Sequence, residues 1–117
     1  AQVLRQHTLQ GHRLLSKGTS WTLHLAAEVA LNHHERWDGT GYPNQRRSEW
    51  IPLSARIVAV ADVFDSLLTV RPYRPAWTMD ASIGFILEHG GSYFDPQVVR
   101  CFSDSIDRLR TIVKRLP

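Results

Sequence analysis

PLSARIVAVADVFDSLLTVRPYRP, from Pro52 to Pro75, decides the fold class. Ile57, Val60, Ala61, Phe64 and Leu68 recur at steps of three and four, the period of one face of an α-helix. The helix follows Pro52 and stops before Arg71-Pro72-Tyr73-Arg74-Pro75, where the prolines withdraw amide donors and crowd the preceding turn.

The flanking sequence reads the same way. Upstream, RWDGTGYPNQRRSEW (36–50) is polar, carries Asp-Gly and Tyr-Pro turn signals, and is too long for a tight turn. Before it, Ala26, Val29, Ala30 and His33 mark a helix over about 22–35, with Thr22 as candidate cap. Val3, His7, Gly11 and Leu14 mark another over about 1–16; it has no capping residue, so the chain reads as opening inside an element. Downstream, a short helix over about 79–89 begins at Thr78 and ends at Gly90-Gly91. Asp95-Pro96 then pairs an N-cap with proline at the first helical position, opening a last helix through Val99, Phe102, Ile106, Leu109 and Val113. No repeat or strand-like alternation intervenes. The expectation is an all-α bundle of about five helices.

Composition limits the function classes. A chain of 117 residues, 43% hydrophobic and 21% charged, suits one globular domain and excludes disorder and low complexity. Its single cysteine, Cys101, cannot close an intrachain disulfide or build a cysteine zinc site, which points to a reducing, cytoplasmic setting. No apolar run approaches the roughly 20 residues that cross a bilayer, and polar residues interrupt any signal-peptide core near the start. The net charge of +3 invites a nucleic-acid reading, but the excess lies entirely in 97–117, from Arg100, Arg108, Arg110, Lys114 and Arg115 against Asp104 and Asp107. Such residues flanking an apolar stripe read as a solvated helix face, and no nucleic-acid partner is expected.

The histidines carry more chemistry. His33 and His34 are adjacent near a helix end, about 100° apart around its axis. His7 falls on the expected buried face of the first helix, and Asp62 sits beside the apolar stripe of the third. A histidine on an apolar face is more often a hydrogen-bonded core residue than a ligand. The pair, followed by Glu35 and Asp38, shifts the balance, since carboxylates orient ligating imidazoles. Three imidazoles and a carboxylate from three helices would suit Fe, Mn or Zn. His12, His24 and His89 match no such pattern and read as surface or structural. Arg71 and Arg74 could grip a phosphate through bidentate hydrogen bonds, or satisfy the carbonyls at a helix C-terminus; both readings stay open. Together the two elements suggest metal-assisted attack on a phosphoester.

Longer motifs carry a resemblance. HHERWDGTGYP (33–43), Ile51-Pro52-Leu53, AVADVFD (59–65), Arg71-Pro72-Tyr73-Arg74 and Phe94-Asp95-Pro96 resemble the HD-GYP family, a branch of the HD phosphohydrolases whose active members hydrolyse the bacterial second messenger cyclic di-GMP. The resemblance runs from His7 to about Phe102. It implies that residues 1–117 form a partial HD-GYP domain, the later part of an HD-domain-like helical fold. It makes His7 the ligand of an H-x-x-x-G element, puts His33 and His34 on different ions of a bi- or trinuclear centre of iron or manganese, and makes Asp62 a further ligand. Arg71 and Arg74 match positions that grip substrate phosphate, and Asp65 one near the bound nucleotide. Gly41-Tyr42-Pro43 is the loop that names the family; it shapes the site and mediates contacts with GGDEF partner domains. Glu35 and Asp38 would orient ligands or, as exposed loop residues, cap the helix end. The products would be pGpG or GMP.

Two departures qualify the resemblance. No His-Asp dipeptide, with its following Gly-Lys, occurs in the 117 residues. Gln45-Arg46-Arg47-Ser48 also stands where the family has Gly-Leu-x-Gly, losing two glycines. The expectation is therefore a phosphodiesterase at the level of the parent protein, with these residues inactive alone. The alternative is a non-catalytic module that binds cyclic di-GMP or GGDEF domains. Helices that should have packed on absent partners would leave an apolar patch on helices 1–3, a surface for dimerisation.

Overall fold

The computed structural model describes residues 2–16 and 20–115, with side chains over 5–13 and 20–115. The chain runs α1 (Gln2–Ser16), α2 (Trp21–Asn32), a 3-10 turn (Ser48–Trp50), α3 (Leu53–Leu68), α4 (Met79–Glu88), α5 (Pro96–Asp104) and α6 (Ile106–Arg115). It is all-α, and no strand occurs among the described residues. None of the described helices is long and apolar enough to cross a membrane.

Two caps are as the sequence dictates. The Thr78 hydroxyl accepts from Ala81 N at 3.1 Å, and an Asp95 carboxylate oxygen accepts from Gln97 N at 2.8 Å, with Pro96 in the first turn. Three boundaries differ. Ser20, not Thr22, caps α2, accepting from Leu23 N at 3.0 Å. That helix ends at Asn32, so His33 and His34 lie just beyond it. The expected last helix is two, making six among the described residues where about five were expected. At the break, the Ser105 hydroxyl donates to Cys101 O at 2.9 Å, a side chain competing with the backbone ladder.

Val60 and Phe64 of α3, Ile83 and Ile86 of α4, Phe94, and Val99 and Phe102 of α5 form the buried core. Phe64 meets Phe102 edge to face at 5.2 Å. Arg56 joins α3 to the α5 cap: its guanidinium pairs with buried Asp95 at 2.6 Å and donates to Ile51 O at 2.9 Å. α1 packs on α2 and α2 on α3.

On α1, Thr8 is buried and Gly11 lies against Ala30, whereas His7 is exposed. This corrects the expected buried face: the helix turns Thr8 and Gly11 inward, and His7 falls outside. The side chains of Val3 and Leu14, the other members of that stripe, lie outside the described residues. Apolar surface is present on α2 and α3, at Trp21, Leu23, Leu53 and Ile57. The larger apolar groove, of about 550 Å³, runs between α3 and the α5–α6 pair.

Candidate metal centre

α3 presents Asp62 toward the end of α2, where the chain turns out of the helix. His33 closes that helix: its backbone N–H bonds Val29 O at 2.9 Å, and its Nδ1–H donates to the same carbonyl at 2.8 Å. That bond fixes the tautomer and leaves Nε2 with a lone pair. The His34 ring lies 4.0 Å from that of His33 and stacks on Tyr42 at 4.9 Å. Burial, then the neighbouring His33, pull the His34 pKa below its ordinary value, against an opposing pull from Asp62. A neutral imidazole is the form that binds metal.

Each of His33, His34 and Asp62 offers one ligand atom, and the three atoms lie within 4.8 Å of one another. Two imidazoles and a carboxylate suit a borderline divalent cation, so the donor set fits a possible metal site. Since His33 and His34 lie beyond α2, the turn and not helical spacing sets their geometry. Exposed His7 stands outside this group.

The loop after the histidines is built around Glu35. Expected as an exposed residue, Glu35 is only 3% exposed. Its two carboxylate oxygens accept from Asn44 N and Arg46 N, each at 2.8 Å, so it holds loop backbone rather than an imidazole. Tyr42 N bonds His34 O at 3.2 Å, folding the loop back over the histidines. Gly41 makes this approach possible, because a Cβ there would collide with the backbone of His34 and Arg36. Burial raises the Tyr42 pKa above its ordinary value, with Arg36 opposing and Asp62 assisting. Asp38 accepts from Thr40 N at 3.0 Å and Thr40 Oγ1 at 2.6 Å, a local turn. Gln45 and Ser48, at the two lost glycine positions, both take φ 52°, so the backbone keeps a left-handed conformation without glycine.

The arginine loop sits apart. Arg74 donates to Ser66 O at 2.9 Å and Pro75 O at 3.2 Å, which favours the helix-end reading for that residue. Exposed Arg71 reaches the Ser66 hydroxyl at 3.1 Å. Asp65 is exposed, and none of the three lines either cavity bordering the histidines.

Those cavities show what sequence reasoning missed. One, of about 430 Å³, lies between α2 and α3 over Val29, Ala30, His33, Val58 and Asp62. The other, of about 190 Å³, is aromatic, and its walls include His34, Arg36, Tyr42, Phe85 and Tyr93. Arg36 and Tyr93 are 57 positions apart, and only the position of Arg36 two residues after His34 hinted at a role.

Residues 1–98 match the HD domain family. The chain belongs to that family. The HD-GYP resemblance is matched by the family's curated relatives. The cyclic di-GMP phosphodiesterase response regulator RpfG of Xanthomonas campestris pv. campestris is 50% identical over 97 residues, 83% of this chain and 26% of that protein. A cyclic di-GMP phosphodiesterase of Vibrio cholerae is 47% identical over 105 residues, 86% of this chain and 21% of that protein. One from Thermotoga maritima is 44% identical over 101 residues, 86% and 27% respectively. The chain thus spans about a quarter of the length of the curated relatives it matches. The crystal structure of a cyclic GMP-AMP specific phosphodiesterase of Vibrio cholerae shares the fold, with a TM-score of 0.70 at 24% identity over 94% of this chain and 24% of that one. This HD-family chain therefore pairs a possible metal site with the GYP loop folded over it.

Proposed function

We propose that the protein carrying this chain is a cytoplasmic, metal-dependent phosphodiesterase that opens cyclic di-GMP to pGpG or GMP. The convergence of His33, His34 and Asp62 under the GYP loop carries the reading. These residues would hold divalent ions, iron or manganese, with the two histidines on different ions. Such ions, when bound, would supply a water of lowered pKa and positive charge to offset that of the phosphate. The chain's own contribution is position. Val29 O fixes the His33 tautomer, Tyr42 covers His34, and Glu35 pins the loop that bears Tyr42. Arg71 is the better phosphate grip of its pair, because Arg74 holds the end of α3, and Asp65 would lie near the nucleotide. The exposed part of the GYP loop would meet GGDEF partners.

Three donors fill only part of a binuclear coordination shell. Residues 1–117 alone are therefore expected to be inactive, and His7 joins the site only if further chain brings the metal to it. A second reading is a module that binds cyclic di-GMP or a GGDEF domain without cleavage. Metal analysis and turnover on the protein in its natural length decide between them. Bound iron or manganese with chelator-sensitive hydrolysis supports the enzyme; a metal-free, inactive protein that still binds cyclic di-GMP overturns it in favour of the module.

A further inference from the structure

The aromatic cavity beside the histidines is lined by a cation, exposed Arg36, that rests on an aromatic ring. The guanidinium carbon of Arg36 lies 4.1 Å from the centre of the Tyr93 ring, and the His89 ring stacks on Tyr93 at 4.4 Å and 13°. His89, Tyr93 and Arg36 thus form a column that ends in a planar fork of N–H donors. The backbone locks the column in place. Trp37 N bonds Tyr93 O at 3.0 Å, Asp38 N bonds Ser92 O at 2.9 Å, and Gly39 N bonds Arg36 O at 2.9 Å. Among the described residues no carboxylate or carbonyl accepts a hydrogen bond from the Arg36 guanidinium. A positioned fork without a protein acceptor lines a cavity of about 190 Å³ whose other walls include His34, Tyr42 and Phe85.

We propose that this cavity is a nucleobase subsite selective for guanine, with Arg36 as the reading residue and Tyr93 as its positioning residue. The inference rests on the cyclic-dinucleotide reading above and names how that site selects its substrate. Guanine presents O6 and N7, two adjacent acceptors that match the guanidinium fork; adenine replaces O6 with an amino donor, which faces Arg36 donor to donor. The aromatic walls suit the flat faces of either purine, so stacking alone would not discriminate. The cavity holds one base, and its contact with His34 places that base next to the phosphodiester at the metal ligands.

Calorimetric affinities for GMP and AMP, on the metal-loaded protein in its natural length, test the proposal. The two ligands share the same phosphate and ribose, so the ratio of affinities isolates the base. The wild type is expected to favour GMP by about tenfold or more, the range of a bidentate contact. Arg36→Ala should bring the ratio near one. Arg36→Lys, which keeps donors for O6 and N7 but loses the planar fork, should lower the ratio only part of the way. Tyr93→Leu should lower the ratio, and Tyr93→Phe, which keeps the ring, should restore it. Equal affinities in the wild type, or a preference untouched by Arg36→Ala, would overturn the subsite. A GMP preference that depends on Arg36 in a protein that hydrolyses nothing supports the subsite and overturns the catalytic reading. Hydrolysis of cyclic di-GMP with no Arg36-dependent preference does the reverse.

Discussion

The loops over residues 33–51 and 69–78 carry most of the chemically interesting side chains, and they are built in opposite senses. The first turns one carboxylate inward: Glu35 is buried with both oxygens on loop amides, and Gly41 is packed against backbone too closely for any other residue. The second turns outward. Tyr73 and Val70 are 83% and 73% exposed, and two backbone hydrogen bonds between Arg71 and Arg74 brace it. One loop is a rigid wall for the histidines, fixed by its own interior; the other is an arm that leans on the end of α3. The difference separates residues whose loss removes the site from residues whose loss only weakens what reaches it.

Gly41→Ala should break this contrast most severely. The added methyl meets the backbone of His34 and Arg36, which cannot give way as a side chain would, so a stability loss of about 3 kcal/mol or more is expected, with loss of metal binding. Thermal unfolding and metal titration check it; a variant that melts like the wild type would mean the loop is not a wall. Glu35→Ala comes next. It takes the carboxylate acceptor from two part-buried loop amides, at about 1–3 kcal/mol each, and Glu35→Gln should cost about half as much because one acceptor oxygen remains. Denaturant unfolding reads both.

The arginine pair sharpens the other side of the comparison. Arg74→Ala should lose about 1 kcal/mol of stability with its bond to Ser66 O. Arg71→Ala should stay within about 0.5 kcal/mol while raising KM for cyclic di-GMP in the natural-length protein. Equal stability losses from the two would erase the division of labour drawn between them.

The smallest effect is at Asp38. Hydrogen bonds from the Thr40 side chain and backbone, with Arg36 nearby, outweigh the burial that opposes ionisation and hold its carboxyl below the ordinary 3.8. A depressed folded-state pKa contributes stability that is complete above the unfolded value and disappears as pH falls through the folded one. Asp38→Ala should therefore lie about 0.5–1.5 kcal/mol below the wild type near neutrality, a gap that closes as the pH drops below about 4. Unfolding curves across that range show whether it does.

Residues that act through local chemistry were legible in the sequence. The helical period of Ile57 to Leu68 and the caps at Thr78 and Asp95 depend on neighbours a few positions away, and they appear where expected. The motif around His33, His34 and Asp62 marks three residues whose ligand atoms lie within 4.8 Å of one another, because a pattern that long carries tertiary information. His7 did not follow, since the face α1 buries is chosen by Gly11 and Thr8 against α2, not by its own periodicity. The break at Ser105 was hidden because serine is tolerated inside many helices. Glu35 looked like a surface carboxylate because its partners, Asn44 N and Arg46 N, are backbone groups that no side-chain pattern reveals. Arg36 was passed over for a similar reason: the ring that supports it comes from the far side of α4.

The thiol of Cys101 gives the molecule a practical handle. It is the only sulfhydryl in the sequence, it is exposed, and it lines the apolar groove with Ile57 and Phe102. A maleimide dye would attach there at one defined point, on α5, leaving every histidine and both loops chemically untouched. Fluorescence from that single position can follow whatever enters the groove.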